Sequence, residues 1–203
     1  MSKGLEPGLT IPDFELPDEN GALHRLSDLQ GEDALVLMLG RGEHCPRERM
    51  HQREMVKFHE WCDLAFTRLV TILPNEAHDA YKLRISSGAH WPYLCDTKLE
   101  VRSHFEIDEY TDEHNDNAVV PHTLILSPGL RIERVYVGYW FWGRPSVFQL
   151  WDDLTEIFSR TKPDFDPTTA AAREAFAAAR NGGKPRAGKK AARKRKVAAA
   201  AAG

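Results

Sequence analysis

A chain of 203 residues is long enough for one domain with a substantial core plus an extension. Its start lacks a basic region followed by an apolar stretch, and no apolar run is long enough to span a bilayer, so a soluble cytoplasmic protein with no membrane partner is expected. The net charge of −3 conceals two opposed parts: from Arg173 onward ten bases face one acid, +9, and positions 1–172 carry 17 bases against 29 acids, −12.

Residues 1–33 read as irregular, with short strands at Phe14-Glu15-Leu16 and Leu23-His24-Arg25-Leu26 around an Asn20-Gly21 turn. Ala34 to Leu39 is the first buried strand. After Cys45, Met50, Met55, Phe58, Trp61, Cys62 and Ala65 recur at helical spacing, and Leu69-Val70-Thr71-Ile72-Leu73 follows as a second strand, which makes a β-α-β unit. A second helix is expected from Glu76 to Ser86, with Tyr81, Leu83 and Ile85 buried. A strand at Trp91–Cys95 and a short helix near Lys98 to Phe105 come next. Ile107 to Asn117 is acidic and reads as a surface loop. Thr123–Leu126 and Ile132–Val137 flank Ser127-Pro128-Gly129, the chemistry of a turn between antiparallel strands, and an amphipathic helix from Ser146 to Arg160 closes the body near Pro167.

Cys45 lies at the strand-to-helix turn Arg41-Gly42-Glu43-His44-Cys45-Pro46-Arg47-Glu48. It is expected as the N-cap, with Pro46 first in the helix, where a missing N–H costs nothing, and Glu48 third, where its carboxylate reaches back to a free backbone donor. A thiolate there faces the positive end of the helix, and Arg41, Arg47 and Arg49 add to the attraction. The alternative is an inert buried thiol, but the turn is polar on both sides of the sulfur. The three cysteines, Cys45, Cys62 and Cys95, are odd in number with no CxxC spacing, which suits free thiols in a reducing compartment better than a disulfide scaffold or a zinc module.

The order of these pieces resembles the alkyl hydroperoxide reductase/thiol-specific antioxidant family, the peroxiredoxin-like branch of the thioredoxin fold. Pro12-Asp13-Phe14-Glu15-Leu16 and Leu26-Ser27-Asp28-Leu29 resemble its opening segment, and Arg41-Gly42-Glu43-His44-Cys45-Pro46 its active-site turn. Trp91-Pro92-Tyr93-Leu94-Cys95-Asp96 resembles its Phe-Pro-Leu-Leu-x-Asp strand, and Val120-Pro121-His122-Thr123 the cis-proline segment that faces the active cysteine. The resemblance covers about residues 8–160. It implies an α/β thioredoxin-like three-layer sandwich, a mixed central sheet with flanking helices, over residues 1–167. Residues 168–203 form an Ala/Lys/Arg-rich tail, expected to be disordered from 181 on.

The resemblance also implies a redox-active Cys45 that attacks a hydroperoxide, becomes a sulfenic acid and is restored by an external thiol such as a thioredoxin. Arg41, His44, Glu48, Pro121 and His122 complete the candidate site. Two places depart from the family pattern: Met38 and Gly42 stand where a Pro and a peroxide-binding Thr are usual, and Pro121 stands at the usual arginine, for which Arg41 is the candidate substitute. Cys62, 17 residues along the same helix at ~1.5 Å each, is roughly 25 Å from Cys45 and cannot pair with it. Cys95 pairs only after rearrangement, so a one-cysteine mechanism is favoured.

His44, His51 and His122 invite comparison with a metal site, but His51 lies ~10 Å up the helix and tetrahedral closure is poor, so no metal or other cofactor is expected. A histidine tuning the thiolate fits better, His44 or His122. Tyr139-Trp140-Phe141-Trp142-Gly143 reads as core packing with an exposed remainder suited to a homodimer. The tail reads as a solubilising extension or as an arm for weak, salt-sensitive nucleic-acid binding. The rival to the enzyme is a non-catalytic thioredoxin-fold binding protein tethered to nucleic acid by that tail.

Overall fold

The computed structural model describes residues 3–107, 109–112, 115–138, 143–162, 165–166, 168–170, 172–174 and 177. In chain order the elements are β1 Glu15–Pro17, β2 Leu23–Arg25, α1 Leu26–Gln30, β3 Ala34–Leu39, α2 Pro46–Leu64, β4 Thr67–Leu73, α3 Ala77–Ser87 and β5 Tyr93–Cys95. They continue with α4 Glu100–His104, β6 Glu109–Asp112, β7 Asn115–Val119, β8 His122–Ser127, β9 Arg131–Val137 and α5 Val147–Thr161.

Five strands form the central sheet in the order β5-β4-β3-β8-β9. The β3-α2-β4 crossover makes β3 and β4 parallel, β5 joins parallel to β4, and the β8-β9 hairpin pairs antiparallel against the other side of β3. β3 sits at the centre with all six residues buried, which is why it reads as an unbroken apolar run. The expected mixed α/β thioredoxin-like sheet with flanking helices is what the chain forms.

Alternation along the strands sorts the residues into two faces. Leu35, Leu37 and Leu39, with Val70, Ile72, Leu94, Leu124 and Leu126, pack into one apolar cluster with Ile11, Leu16, Val101 and Phe105. The opposite face carries the row Thr71, Met38 and Thr123, paired side by side. Helix α2 covers this second face, where the Gln52 amide lies 4.0 Å from the Met38 sulfur and Met55, Phe58 and Cys62 are fully buried.

Several local expectations need correction. Helix α1 was not anticipated because its anchor comes from 14 residues upstream: the Asp13 carboxylate accepts from the Ser27 amide at 2.9 Å and its hydroxyl at 2.7 Å. The acidic stretch after Ile107 is not a simple loop but the antiparallel ribbon β6-β7, whose backbone pairing asks nothing of apolar periodicity. Helix α3 buries Ala80, Leu83 and Ser87, so Tyr81 and Ile85 face outward. Met50, Trp61 and Phe148 are likewise exposed, Trp61 standing edge-on to Trp151 at 5.6 Å between ring centres. Among the described residues no peptide bond is cis, so Val120–Pro121 is trans. Tyr139 to Trp142 and residues 178–203 lie outside the described residues, and with them the expectations of an aromatic edge, a homodimer surface and a disordered tail.

The chain falls into two compact units, residues 1–154 and 155–203. In the second, the Asp166 carboxylate accepts from the Thr168 amide and hydroxyl, and the Thr169 hydroxyl accepts from the Ala172 amide at 3.2 Å. Among the described residues no helix is long and apolar enough to cross a membrane.

Candidate active site

The end of β3 runs directly into the turn that presents the thiol. Gly40 donates its N–H to the Ile72 carbonyl at 2.9 Å, extending the β3-β4 pairing by one residue. Arg41 and Gly42 then bend the chain, and the Cys45 N–H closes the turn on the Gly42 carbonyl at 3.3 Å. Gly42 has φ +117°, and a Cβ there would meet the Asn75 side-chain oxygen at 2.7 Å. A threonine would be strained in that conformation, so the turn as it stands has no place for the hydroxyl that the resemblance implies. Asn75 instead accepts the Glu43 N–H at 3.1 Å and ties the turn to the end of β4.

Cys45 is the N-cap of α2, with Pro46 first in the helix, as the sequence indicates. Its side chain makes no capping bond, so the sulfur is left for other partners. Cys45 is 5% exposed, and Nη1 of the buried Arg41 guanidinium donates to Sγ at 3.9 Å. Arg49 pairs with Glu43 at 3.8 Å, whereas Arg41 reaches the sulfur itself.

Glu48 does not reach back to the N-cap as a capping box would. Its Oε2 accepts the backbone N–H of Arg41 at 3.2 Å and Nη2 of Arg144 at 3.1 Å, and its Oε1 accepts the Gln52 amide at 2.9 Å. Burial alone would raise the Glu48 carboxyl; Arg144, with these hydrogen bonds, holds it below the ordinary carboxylate range. Gly40 makes room for this group, since a Cβ there would lie 3.0 Å from the Glu48 carboxyl and 2.7 Å from Leu73. Beneath it, Gln52 Oε1 accepts the Tyr93 hydroxyl at 2.7 Å and the Thr71 hydroxyl at 3.4 Å, and Thr71 in turn accepts the Trp91 indole N–H at 2.9 Å. This polar network is continuous from β5 to the turn.

The remaining candidates lie elsewhere. His44 is exposed on the turn, its ring 3.2 Å from where a Gly42 Cβ would stand. Pro121 is buried and its carbonyl accepts the Gly138 N–H at 2.7 Å. His122 shares the face of Leu124 and Leu126, away from α2, and its Nδ1 bonds the Val120 carbonyl at 2.9 Å. A pocket at the carboxyl ends of β3 and β4, lined by Leu39, Gly40, Leu73, Val101 and Arg102, lies on the other side of Gly40 and does not include Cys45.

The AhpC/TSA family model matches residues 7–135, well over half of the chain and the whole of the cysteine turn. The chain belongs to the AhpC/TSA family. It is a peroxiredoxin-like thiol peroxidase oxidoreductase of thioredoxin fold. The structure of this AhpC/TSA protein is similar to that of the peroxidoxin BcpB of Mycobacterium tuberculosis, at 18% identity and TM-score 0.64 over 76% of this chain and 97% of that one. It is similar to peroxiredoxin 6 of Arenicola marina, at 15% and 0.63 over 78% and 74%. A yeast mitochondrial 1-Cys peroxiredoxin matches at 15% and 0.63 over 79% and 78%. At these identities the likeness shows the fold. No curated protein matches the chain by sequence.

Arg144, Gln52 and Tyr93 are the members of this AhpC/TSA site that sequence reasoning missed. Gln52 carried a signal, since it stands seven residues after Cys45 and four after Glu48 on one helical stripe. Arg144 carried none, because it meets Glu48 across 96 residues of chain and lies beyond the matched segment.

Proposed function

We propose that Cys45 is the nucleophile of a one-cysteine thiol peroxidase that uses an external thiol as reductant. The observation that carries this is the sulfur at the start of α2, free of any capping bond and held 3.9 Å from the buried Arg41 guanidinium. A helix N-terminus and a cation together favour a thiolate. The thiolate attacks the distal oxygen of a hydroperoxide and the O–O bond breaks. Sulfur is oxidised to sulfenic acid, and the leaving oxygen takes a proton to depart as water or an alcohol. An external thiol then condenses with the sulfenic acid, releasing water and leaving a mixed disulfide, and a second thiol displaces it to restore Cys45.

The single-cysteine form is supported by the state of the other two thiols. Cys62 is fully buried on the same helix, and burial together with Glu19 and Asp18 pushes the Cys95 thiol up to about 11, where it is a poor nucleophile at neutral pH. The yeast relative, described as a 1-Cys peroxiredoxin whose thiol is resolved via glutathione/thioredoxin systems, points the same way. Stopped-flow oxidation of the wild type and of Cys45→Ser by hydrogen peroxide and an organic hydroperoxide, with a sulfenic acid trap, tests the proposal. Oxidation no faster than that of a free thiol would overturn it.

The basic end of the chain supports a separate contact with nucleic acid. Ten bases from Arg173 to Lys196 against a body of net −12 suit phosphate neutralisation without base reading. Deleting 181–203 is expected to abolish DNA retention at low salt; unchanged retention refutes the contact.

A further inference from the structure

We infer that Gln52 is a positioning residue for Cys45: its side-chain amide, turned one way by Trp91, Thr71 and Tyr93, sets the Glu48 carboxylate and through it the Arg41 turn. It rests on the thiol chemistry proposed above, though the geometry itself requires no peroxide.

The direction of the amide follows from the groups at the two ends of a line of hydrogen bonds. At the sheet end stands the Trp91 indole, which can only donate, and it donates to the Thr71 hydroxyl oxygen at 2.9 Å. The Thr71 proton then points onward, to Gln52 Oε1 at 3.4 Å. The Tyr93 hydroxyl donates to the same oxygen at 2.7 Å, and burial pushes that hydroxyl up, so it keeps its proton. At the turn end stands the Glu48 carboxylate, which can only accept. A reversed amide would set its oxygen against the carboxylate, so Nε2 faces Glu48 and donates to Oε1 at 2.9 Å. Gln52 is fully buried, and bulk water supplies no substitute for either bond.

What the amide fixes is the rotation of one carboxylate. The last torsion of a glutamate is broad, so hydrogen bonds rather than rotamer preference set it, and a hold on Oε1 is a hold on Oε2. Oε2 is the oxygen that accepts the Arg41 N–H at 3.2 Å and Arg144 Nη2 at 3.1 Å. The guanidinium of Arg41 reaches Cys45 Sγ at 3.9 Å. Gly42 therefore has an anchor on each side, Glu43 N–H on Asn75 at 3.1 Å and Arg41 N–H on Glu48. Gln52 acts on the second. An apolar residue at position 52 would suit a stripe that continues as Met55, Phe58 and Cys62, and would cost less to bury. What glutamine adds is a donor and an acceptor matched at both ends.

The test compares Gln52→Met, which keeps the length and loses both ends of the amide, with Gln52→Glu, which keeps the acceptor and offers Glu48 a donor only while it holds a proton. Each is made in the wild-type and Arg41→Met backgrounds. The readout is the rate of Cys45 alkylation by iodoacetamide across pH, which needs no peroxide chemistry, beside peroxide oxidation. Gln52→Met is expected to slow alkylation at neutral pH about tenfold and move its midpoint up by about one unit. Gln52→Glu is expected to restore the wild-type rate at about pH 6, where two adjoining carboxyls share one proton. Once Arg41 is Met, Gln52→Met is expected to change nothing further. A wild-type profile in Gln52→Met, equal impairment of the two variants at about pH 6, or an undiminished effect in the Arg41→Met background would overturn the inference. Should Gln52→Met not fold, Tyr93→Phe decides, since it deletes a single oxygen: a smaller slowing that disappears in the Arg41→Met background supports the inference, and no slowing refutes it. An alkylation profile that responds to Gln52 in a protein inert to peroxide would sink the peroxidase proposal and leave this one standing.

Discussion

Arg144 closes a 3.1 Å ion pair on Glu48, with 4% and 2% of the two side chains exposed. A pair this deep gives little net stability against an apolar substitute, but removing one partner strands a buried charge. Arg144→Met is expected to cost about 3–5 kcal/mol in urea unfolding, and the double variant with Glu48→Gln about half of that or less. Equal losses in single and double variants would mean that the carboxylate does not depend on the guanidinium.

The Arg41 side chain and backbone serve different groups, the guanidinium reaching Sγ and the N–H reaching Glu48. Arg41→Met removes the guanidinium and keeps the backbone N–H. Sulfenic acid formation is expected to fall about 100-fold, the scale of losing one aimed donor, with the thermal midpoint little changed. Arg41→Lys should lie between, since an ammonium keeps the charge and loses the fork.

The buried imidazole makes the protein acid-sensitive. His51 titrates at about 4 when folded, against 6.5 for a solvated histidine, so between those values the unfolded chain binds the proton and the folded one does not. Stability is complete above pH 6.5 and declines as pH falls towards 4, by at most about 3 kcal/mol from this group. Glu48, held below the 4.5 of a solvated glutamate, adds a loss of the same sign only at lower pH. Urea midpoints at pH 7 and about pH 4.5 should differ markedly less in His51→Asn than in the wild type.

Cys95 has the opposite dependence. With its thiol pushed from 9.0 up to about 11, the folded chain keeps a proton that the unfolded chain releases, so this contribution to stability fades as pH rises from 9 to 11. Iodoacetamide at pH 8 should label Cys45 and spare Cys95. Peroxide followed by a small thiol should give a mixed disulfide on Cys45. A Cys45–Cys95 bridge as the main product in mass spectrometry would show that the resolving thiol is internal.

Gly40 is the spacer behind Glu48. Gly40→Ala places a methyl 2.7 Å from Leu73 and 3.0 Å from the carboxyl, so the carboxylate must move. The variant is expected to lose about 1–3 kcal/mol and to slow Cys45 oxidation together with its alkylation. Loss of stability with unchanged Cys45 reactivity would separate Glu48 from the thiol.

The parts of this protein that local chemistry dictates were legible in the sequence. β3 is an apolar run, Cys45-Pro46 marks a helix start, and Ser127-Pro128-Gly129 marks the turn that joins β8 to β9. The motifs around Cys45 carried the family with them. The network behind the thiol was not legible for a physical reason: the stripe of α2 that faces the sheet opens with Cys45, Glu48 and Gln52, and it turns apolar only from Met55 through Phe58 and Cys62. A search for buried apolar positions reads such a stripe as surface. The reach of Glu48 was foreseen but its target was not, because the partner arrives from beyond β9. His122 pairs with Leu39 and takes the face of Leu124 and Leu126, a placement that its neighbour Pro121 does not reveal, since one step along a strand reverses the face.

The stem at Gly143 makes a remote glycine answerable for the thiol site. Gly143 has φ +81°, and a Cβ on it would collide with the Val137 carbonyl oxygen and the Gly138 backbone, so only glycine lets the chain return over the end of β9 and send Arg144 inward to Glu48. A methyl at this position, outside the segment that the family model matches, would therefore disturb the cysteine turn without touching it.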